Sequence, residues 1–423
     1  MIALPVPAHQ RTGRALVLML TFALFAFGCS GSDRFEARKT PAENANVDPT
    51  EVASTPEPEP TAEPTTAPEP AEQATPAPTA APEEPSLFTQ RGPYAVGVVT
   101  HRMDDRYVEV WYPVDPTSVV GEPTETFDAL TAFPETLRAI VPPELSGEYD
   151  TLAVRDPAAL PDSFPVVIYG HGFGGYRQIA THFTGHLASW GFVVASTDHL
   201  ERGIAEQTLD LVGDGLFDES NSRPDASIDD VRNTIDLLAT LNIEGPLAGT
   251  MDLERLAISG HSAGAFAAVQ ASDAEPGLID GWISISGGTR EGIELTQPGL
   301  VIIGELDAVV PAERSYELFA TSGGPRALLN VQGAGHNSFT DPCRGITDLG
   351  GLGALIALLG EEQVARAEDG CTPGSTQPEI AQAVVNHVAI AWLYNLFGLA
   401  LTGNPLSTDI IAAIAPLADF QPE

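Results

Sequence analysis

Five residues, Gly260-His261-Ser262-Ala263-Gly264, constrain this chain more than any other feature. They join the apolar run Leu256–Ser259 to the small-residue segment AGAFAAVQAS, so a strand pattern feeds directly into a helix pattern across one tight turn. A serine there stands at the apex of a sharp strand-to-helix bend, and flanking glycines let the backbone pass close to its neighbours. The same five-residue spacing also arises in ordinary glycine-rich turns. The rest of the chain must therefore supply what a reactive serine needs.

A serine hydroxyl is a weak nucleophile until a base takes its proton, and that base needs an orienting acid. In a strand–turn–helix setting of this kind the acid and then the histidine follow the serine, each in a loop at the carboxyl end of a strand. Asp307 fits the acid: the buried-strand pattern of LVIIGELDAVVP ends at Gly304, and a helix begins beyond Pro311. Glu305 is the competing carboxylate. His336 fits the base, because the strand ALLNV runs into Gly333-Ala334-Gly335-His336, a loop expected to expose the imidazole. The later His387 lies in an apolar helical run and reads as a packing or rim residue. The glycine-rich loop Gly170–Gly175 follows another buried strand, and the backbone N–H groups of Phe173 and Ala263 are the expected oxyanion donors. His171 and His261 flank this machinery and are expected to brace loops by hydrogen bonding. Phosphate-cradling patterns such as G-x-x-x-x-G-K-[ST] are absent, so no nucleotide cofactor is expected, and none of any other kind.

Strand patterns at Tyr94–Thr100 and Tyr107–Pro113 precede an alternation of short apolar strands and helices. The further strands are Pro165–Gly170, Phe192–Ser196, Leu256–Ser259, Trp282–Ser286, Leu300–Gly304 and Ala327–Val331. The helices are His182–Trp190, Ile228–Leu241, Ala263–Ala271, Ala312–Thr321 and Glu379–Phe397. Continuous apolar runs in the strands imply a sheet covered on both faces. The expected fold class is α/β: a mostly parallel central sheet with helices on both faces, spanning residues 86–423.

Ahead of this domain the chain is of another kind. Arg11 and Arg14 precede an apolar run from Ala15 to Phe27, which is too short to span a bilayer and stops at Gly28-Cys29. A cysteine after a small residue at that point resembles the bacterial lipobox. Residues 1–28 thus read as a lipoprotein signal peptide and Cys29 as the lipidated residue; a plain cleaved signal or an uncleaved anchor is the alternative. Every version places the protein outside the cytoplasm, and lipidation would attach it to the cell envelope. Residues 29–85, rich in Pro, Glu, Thr and Ala, cannot bury apolar surface and read as a disordered, semi-stiff tether. With Cys29 so used, Cys343 and Cys371 remain as an even pair in an oxidising setting, expected to form a disulfide rather than two buried thiols. The formal net charge of −38, with 20 basic residues against 58 acidic, argues against a nucleic-acid partner.

The segments GPYAVGVVTHRMDDRYVEVWYPV, PVVIYGHGFGG, LASWGFVVASTDH, ISGHSAGAF, VIIGELDAVVP and GAGHNSFTD resemble secreted bacterial α/β-hydrolases. The likeness is to the platelet-activating-factor acetylhydrolase-like proteins often labelled predicted dienelactone hydrolases, with further similarity to cutinase-like polyester hydrolases. It runs from about Gly92 to Leu399. The resemblance implies Ser262, Asp307 and His336 as a triad, Phe173 and Ala263 as oxyanion donors, and a small-molecule or lipid ester as substrate. True dienelactone hydrolases carry a cysteine where this chain has Ser262.

The expected activity is therefore cleavage of short-chain or lipid-like carboxylic esters through an acyl-enzyme. A silent, binding-only lipoprotein of this fold, or a serine peptidase or acyltransferase with the same triad, are the alternatives. Insertions at Asp115–Ser163 and Cys343–Thr376, the second containing LGGLGALIALLG, are expected near the active site, as a lid or as packed decoration. Asp210, Asp214 and Asp218 in the loop Leu200–Asp225 lack calcium-loop spacing, so no metal is expected.

Overall fold

A computed structural model describes residues 87–132, 135–138, 148–205, 224–351, 361–416 and 418–423. The signal peptide and tether expected before residue 86, with Cys29, lie outside the described residues, as do Asp210, Asp214, Asp218 and residues 352–360 of the second insertion.

Strands β1 (Ala95–Met103) and β2 (Arg106–Val114) form an antiparallel hairpin whose turn places Asp104 at φ +52°. Short strands β3 (Thr126–Asp128) and β4 (Glu148–Asp150) pair with each other, and β5 (Val154–Arg155) joins β1. The parallel part follows: β6 (Phe164–Gly170), β7 (Val193–Thr197), β8 (Met251–His261), β9 (Gly281–Ile285), β10 (Gly299–Gly304) and β11 (Arg326–Val331). Strand β12 (Ala418–Pro422) closes antiparallel on β11. The ten-stranded order is β12-β11-β10-β9-β8-β6-β7-β2-β1-β5.

Every residue of β6 and β10 is buried, as their unbroken apolar runs require, and the two-residue period divides their side chains between separate cores. Val167, Tyr169, Leu300 and Ile302 enter one core, closed by helices α1 (Thr181–Ser189) and α7 (Pro378–Leu396). Val166, Ile168, Val301 and Ile303 enter the other, under α2 (Pro224–Ile243), α3 (Ala263–Ala274) and α4 (Ala312–Thr321). Each fully buried aliphatic side chain contributes about 1.5–3 kcal/mol, so this double cover is the main source of stability.

The second insertion supplies α5 (Pro342–Leu349) and α6 (Glu361–Ala367), and Cys343 and Cys371 are joined by a disulfide. Helix α8 (Thr408–Ile414) precedes β12. The described part of the first insertion adds β5 to the sheet and packs Phe127 and Tyr149 on Tyr176, just past the Gly170–Gly175 loop. His387 is a core residue: its Nδ1 accepts the Phe88 amide at 3.1 Å, and its Nε2–H donates to the Pro405 carbonyl at 2.8 Å.

Candidate active site

Ser262 lies between β8 and α3 with φ +56° and ψ −123°, a conformation that costs a non-glycine residue on the order of 1–3 kcal/mol. The turn is held by the Ser262 amide on the Ile285 carbonyl at 2.9 Å and by the Ala265 amide on the Ser262 carbonyl at 2.9 Å. Close packing explains the glycines. A Cβ on Gly264 would fall 2.0 Å from the Gly170 carbonyl oxygen, and one on Gly260 would fall 2.3 Å from the Gly264 carbonyl.

That packing also presses the Gly170–Gly175 loop against the serine: the Cβ position of Gly172 lies 3.1 Å from Ser262 Cβ. Phe173, the next residue, is buried, and Ala263 opens α3, so the loop and the helix start converge on Ser262. Residues 199–204 grip the loop from behind. The His199 amide donates to His171 Nε2 at 3.0 Å, Arg202 Nε to the His171 carbonyl at 2.9 Å, and the Gly174 amide to the Arg202 carbonyl at 2.7 Å. Because His171 Nε2 accepts, its proton is on Nδ1, which donates to the Gly172 carbonyl at 2.8 Å. Burial first, then the neighbouring His199 and Arg202, hold His171 well below the ordinary histidine pKa, so it braces the loop as a neutral ring.

Asp307 and His336 lie together in the structure. Asp307 Oδ2 lies 2.9 Å from His336 Nδ1, while Oδ1 accepts the amides of Val309 at 3.0 Å and Val310 at 2.8 Å. Burial alone would raise the Asp307 pKa, but the His336 charge, its hydrogen bond and the Val310 amide outweigh it and hold it below the usual carboxylate value. For His336 burial acts downward, and the Asp307 charge and hydrogen bond, with Asp369 behind them, raise the net pKa above the ordinary value. Glu305 is exposed and accepts the Gly333 amide at 3.0 Å, which separates the two competing carboxylates.

The imidazole of His336 is not exposed as expected; only 4% of the residue is accessible. Its ring packs on that of His261 with centroids 4.8 Å apart, bringing His336 beside the residue that precedes Ser262. His261 Nε2–H donates to the His336 carbonyl at 2.9 Å, and burial pushes the His261 pKa down to about 3, leaving it a neutral brace.

The segment that covers His336 from the other side belongs to the second insertion, Cys343–Thr376, but sequence reasoning did not single out its Asp369. Asp369 Oδ2 accepts both the His336 amide, at 2.9 Å, and the Ala308 amide, at 3.0 Å. Its carbonyl accepts the Asn337 amide at 2.9 Å, and the Cys371 end of the disulfide is two residues away. An isolated acid in a polar loop carries no periodic signal. Buried His199 and Asp230, paired at 2.7 Å behind the Gly170–Gly175 loop, were equally silent. A separate cavity of about 430 Å³ lies between α1, α5 and α7, lined by Tyr149, Tyr176, His182 and Asp341 among others.

Sheet order, strand–turn–helix geometry and the buried acid–histidine pair define an α/β-hydrolase. Residues 88–213 match the family described as platelet-activating factor acetylhydrolase, isoform II, a stretch that includes the Gly170–Gly175 loop. The platelet-activating factor acetylhydrolase of Cavia porcellus is 23% identical over 359 residues, covering 73% of this chain and 77% of that protein. A ferulic acid esterase structure from Streptomyces cinnamoneus shares the fold with a TM-score of 0.50 at 21% identity, over 81% of this chain and 98% of its own. The chain has the α/β-hydrolase fold and is similar to esterases that carry it.

Proposed function

We propose that this chain is an exported, lipid-anchored serine esterase that cleaves short-chain or lipid-like acyl esters through an acyl-enzyme. One observation carries the mechanism: a serine at positive φ lies against the Gly172 backbone and directly follows His261, whose ring packs on that of His336, with Asp307 fixed on the far nitrogen of the base. In this reading Ser262 Oγ attacks the ester carbonyl carbon and His336 takes its proton. The tetrahedral oxyanion is held by the amides of Phe173 and Ala263. On collapse the C–O bond breaks and the imidazolium gives its proton to the departing alcohol. Water, deprotonated by His336, then attacks the acyl carbon and releases the acid and Ser262. Asp307, buried and kept ionised, steadies the imidazolium that forms at each step.

The substrate class is supported by relatives named as an acetylhydrolase of platelet-activating factor and a ferulic acid esterase. Envelope attachment is supported by the apolar run ending at Cys29 and by a disulfide suited to an oxidising compartment. The test of mechanism is labelling with a fluorophosphonate probe, followed by p-nitrophenyl esters of increasing chain length. Labelling and hydrolysis by the wild type, both abolished in a folded Ser262→Ala variant, support the reading. A wild type that neither labels nor turns over, or a variant that retains turnover, overturns it.

A further inference from the structure

We propose that Asp369 is a positioning residue of the hydrolytic site, fixing the base and its acid relative to each other through one carboxylate oxygen. This rests on the triad reading above. Asp307 and His336 come from different loops, after β10 and β11, and their 2.9 Å contact joins two flexible side-chain ends. A hydrogen bond between side chains does not by itself fix the loops that carry them. Asp369 Oδ2 does so at the backbone, since it accepts the His336 amide and also the amide of Ala308, the residue that follows Asp307. Both donors point at one anionic acceptor, the stronger kind of hydrogen bond.

The acceptor is itself immobilised. The Asp369 carbonyl takes the Asn337 amide, and the Asn337 side chain donates to the carbonyls of Arg366 at 2.9 Å and Ala367 at 3.2 Å. Ser338 Oγ donates to the Gly370 carbonyl at 3.0 Å, and Cys371 is bonded to Cys343 at the start of α5. The whole turn is thus tied to the 3-10 helical turn His336–Phe339 at several points on both sides of Asp369. Space is equally closed, because a Cβ on Gly335 would fall 2.8 Å from Asp369 Oδ1.

The carboxylate has an electrostatic effect as well as a geometric one. Three titratable groups face the His336 ring and backbone: Asp307 from the β10 loop, Asp369 from the turn before Cys371, and neutral His261 from the β8 end. Asp369 stands behind Asp307 in favouring imidazolium, and its own ionisation is resisted by burial and by the Asp307 charge. Removing the charge while keeping the oxygen therefore separates the two contributions.

The experiment compares wild type, Asp369→Asn and Asp369→Ala in the full chain by melting temperature, fluorophosphonate labelling and the pH dependence of kcat/KM. Asp369→Asn keeps an oxygen acceptor and loses the charge, so the acid limb of its profile moves to lower pH while most activity at neutral pH is retained. Asp369→Ala loses the acceptor, and a shift of the dyad of about 1 Å lowers kcat by about 100-fold with little change in KM. Recovery of kcat in Asp369→Asn relative to Asp369→Ala, with the shifted limb, supports the assignment. Should Asp369→Ala fail to fold, the limb position in Asp369→Asn decides alone. An unchanged limb in Asp369→Asn overturns the assignment, as does wild-type kcat in a folded Asp369→Ala. Failure of the wild type to label at all would instead overturn the triad reading.

Discussion

Loss of the Cys343–Cys371 crosslink should destabilise the domain by an amount that follows from its span. The two residues are 28 apart in sequence, and closing a loop of that length in the unfolded chain corresponds to about 3.5 kcal/mol in the chain-entropy account. Unfolding entropy scales at about 2 cal/mol/K per residue, so for a domain of roughly 340 residues this is a fall in melting temperature of about 5 °C. Replacing both cysteines by alanine adds the lost contacts of two fully buried sulfurs, about 1–2 kcal/mol more. The two effects are separable. Wild type unfolded and refolded with reductant present keeps both sulfurs without the bond, and melting followed by circular dichroism should place it about 5 °C below the oxidised protein. The Cys343→Ala/Cys371→Ala variant should lie lower still and be indifferent to reductant. Because neither sulfur is accessible, reductant added to the folded, oxidised protein should leave the melting temperature where it was. A reduced, refolded protein that melts within about 1 °C of the oxidised one would refute the reasoning.

Two further outcomes are expected. Burial pushes His186 down to about 4 while its Nε2–H donates to the Phe88 carbonyl, so the unfolded chain takes up a proton near pH 6.5 that the folded one refuses. Stability from this site is therefore present above pH 6.5 and lost as pH falls toward 4. By linkage the loss at pH 5 is about 2 kcal/mol. The stability gap between wild type and His186→Asn should narrow by about that much from pH 7 to pH 5 in urea titrations, and a constant gap would contradict it. For the proposed envelope anchor, metabolic labelling with a clickable fatty acid in a bacterial host should mark the wild type and not Cys29→Ala; an unmarked wild type would remove the basis for a lipid anchor.

What the sequence made legible is what it encodes locally. Strand runs such as PVVIYG and LVIIG are unbroken because both faces are covered, and the sheet bears this out with alternate residues in separate cores. The Gly260–Gly264 turn was equally readable, since its glycines answer to contacts within the motif and with Gly170. Asp307 was preferred to Glu305 in the sequence, yet two carboxylates two residues apart carry the same chemistry, and it is the structure that turns one toward His336 and the other toward Gly333. His336 was expected in the open because a glycine-rich loop usually is, and the covering turn at Asp369 comes from 33 residues further on. Strand β12 escaped for a related reason. ADFQP has a single buried residue, Phe420, and becomes a strand only through pairing with β11.

That last strand bears on how the molecule behaves in company. A ten-stranded sheet has two margins, and an unpaired row of backbone amides and carbonyls at either one would be a template for another chain to add itself. Here one margin is β5, two residues long, and the other is β12, where exposed Asp419 and Gln421 flank Phe420 and Pro422 removes a donor near the end. The β12 margin is thereby kept from offering itself to copies of the chain, so crowding many such molecules together need not lead to strand addition at that edge.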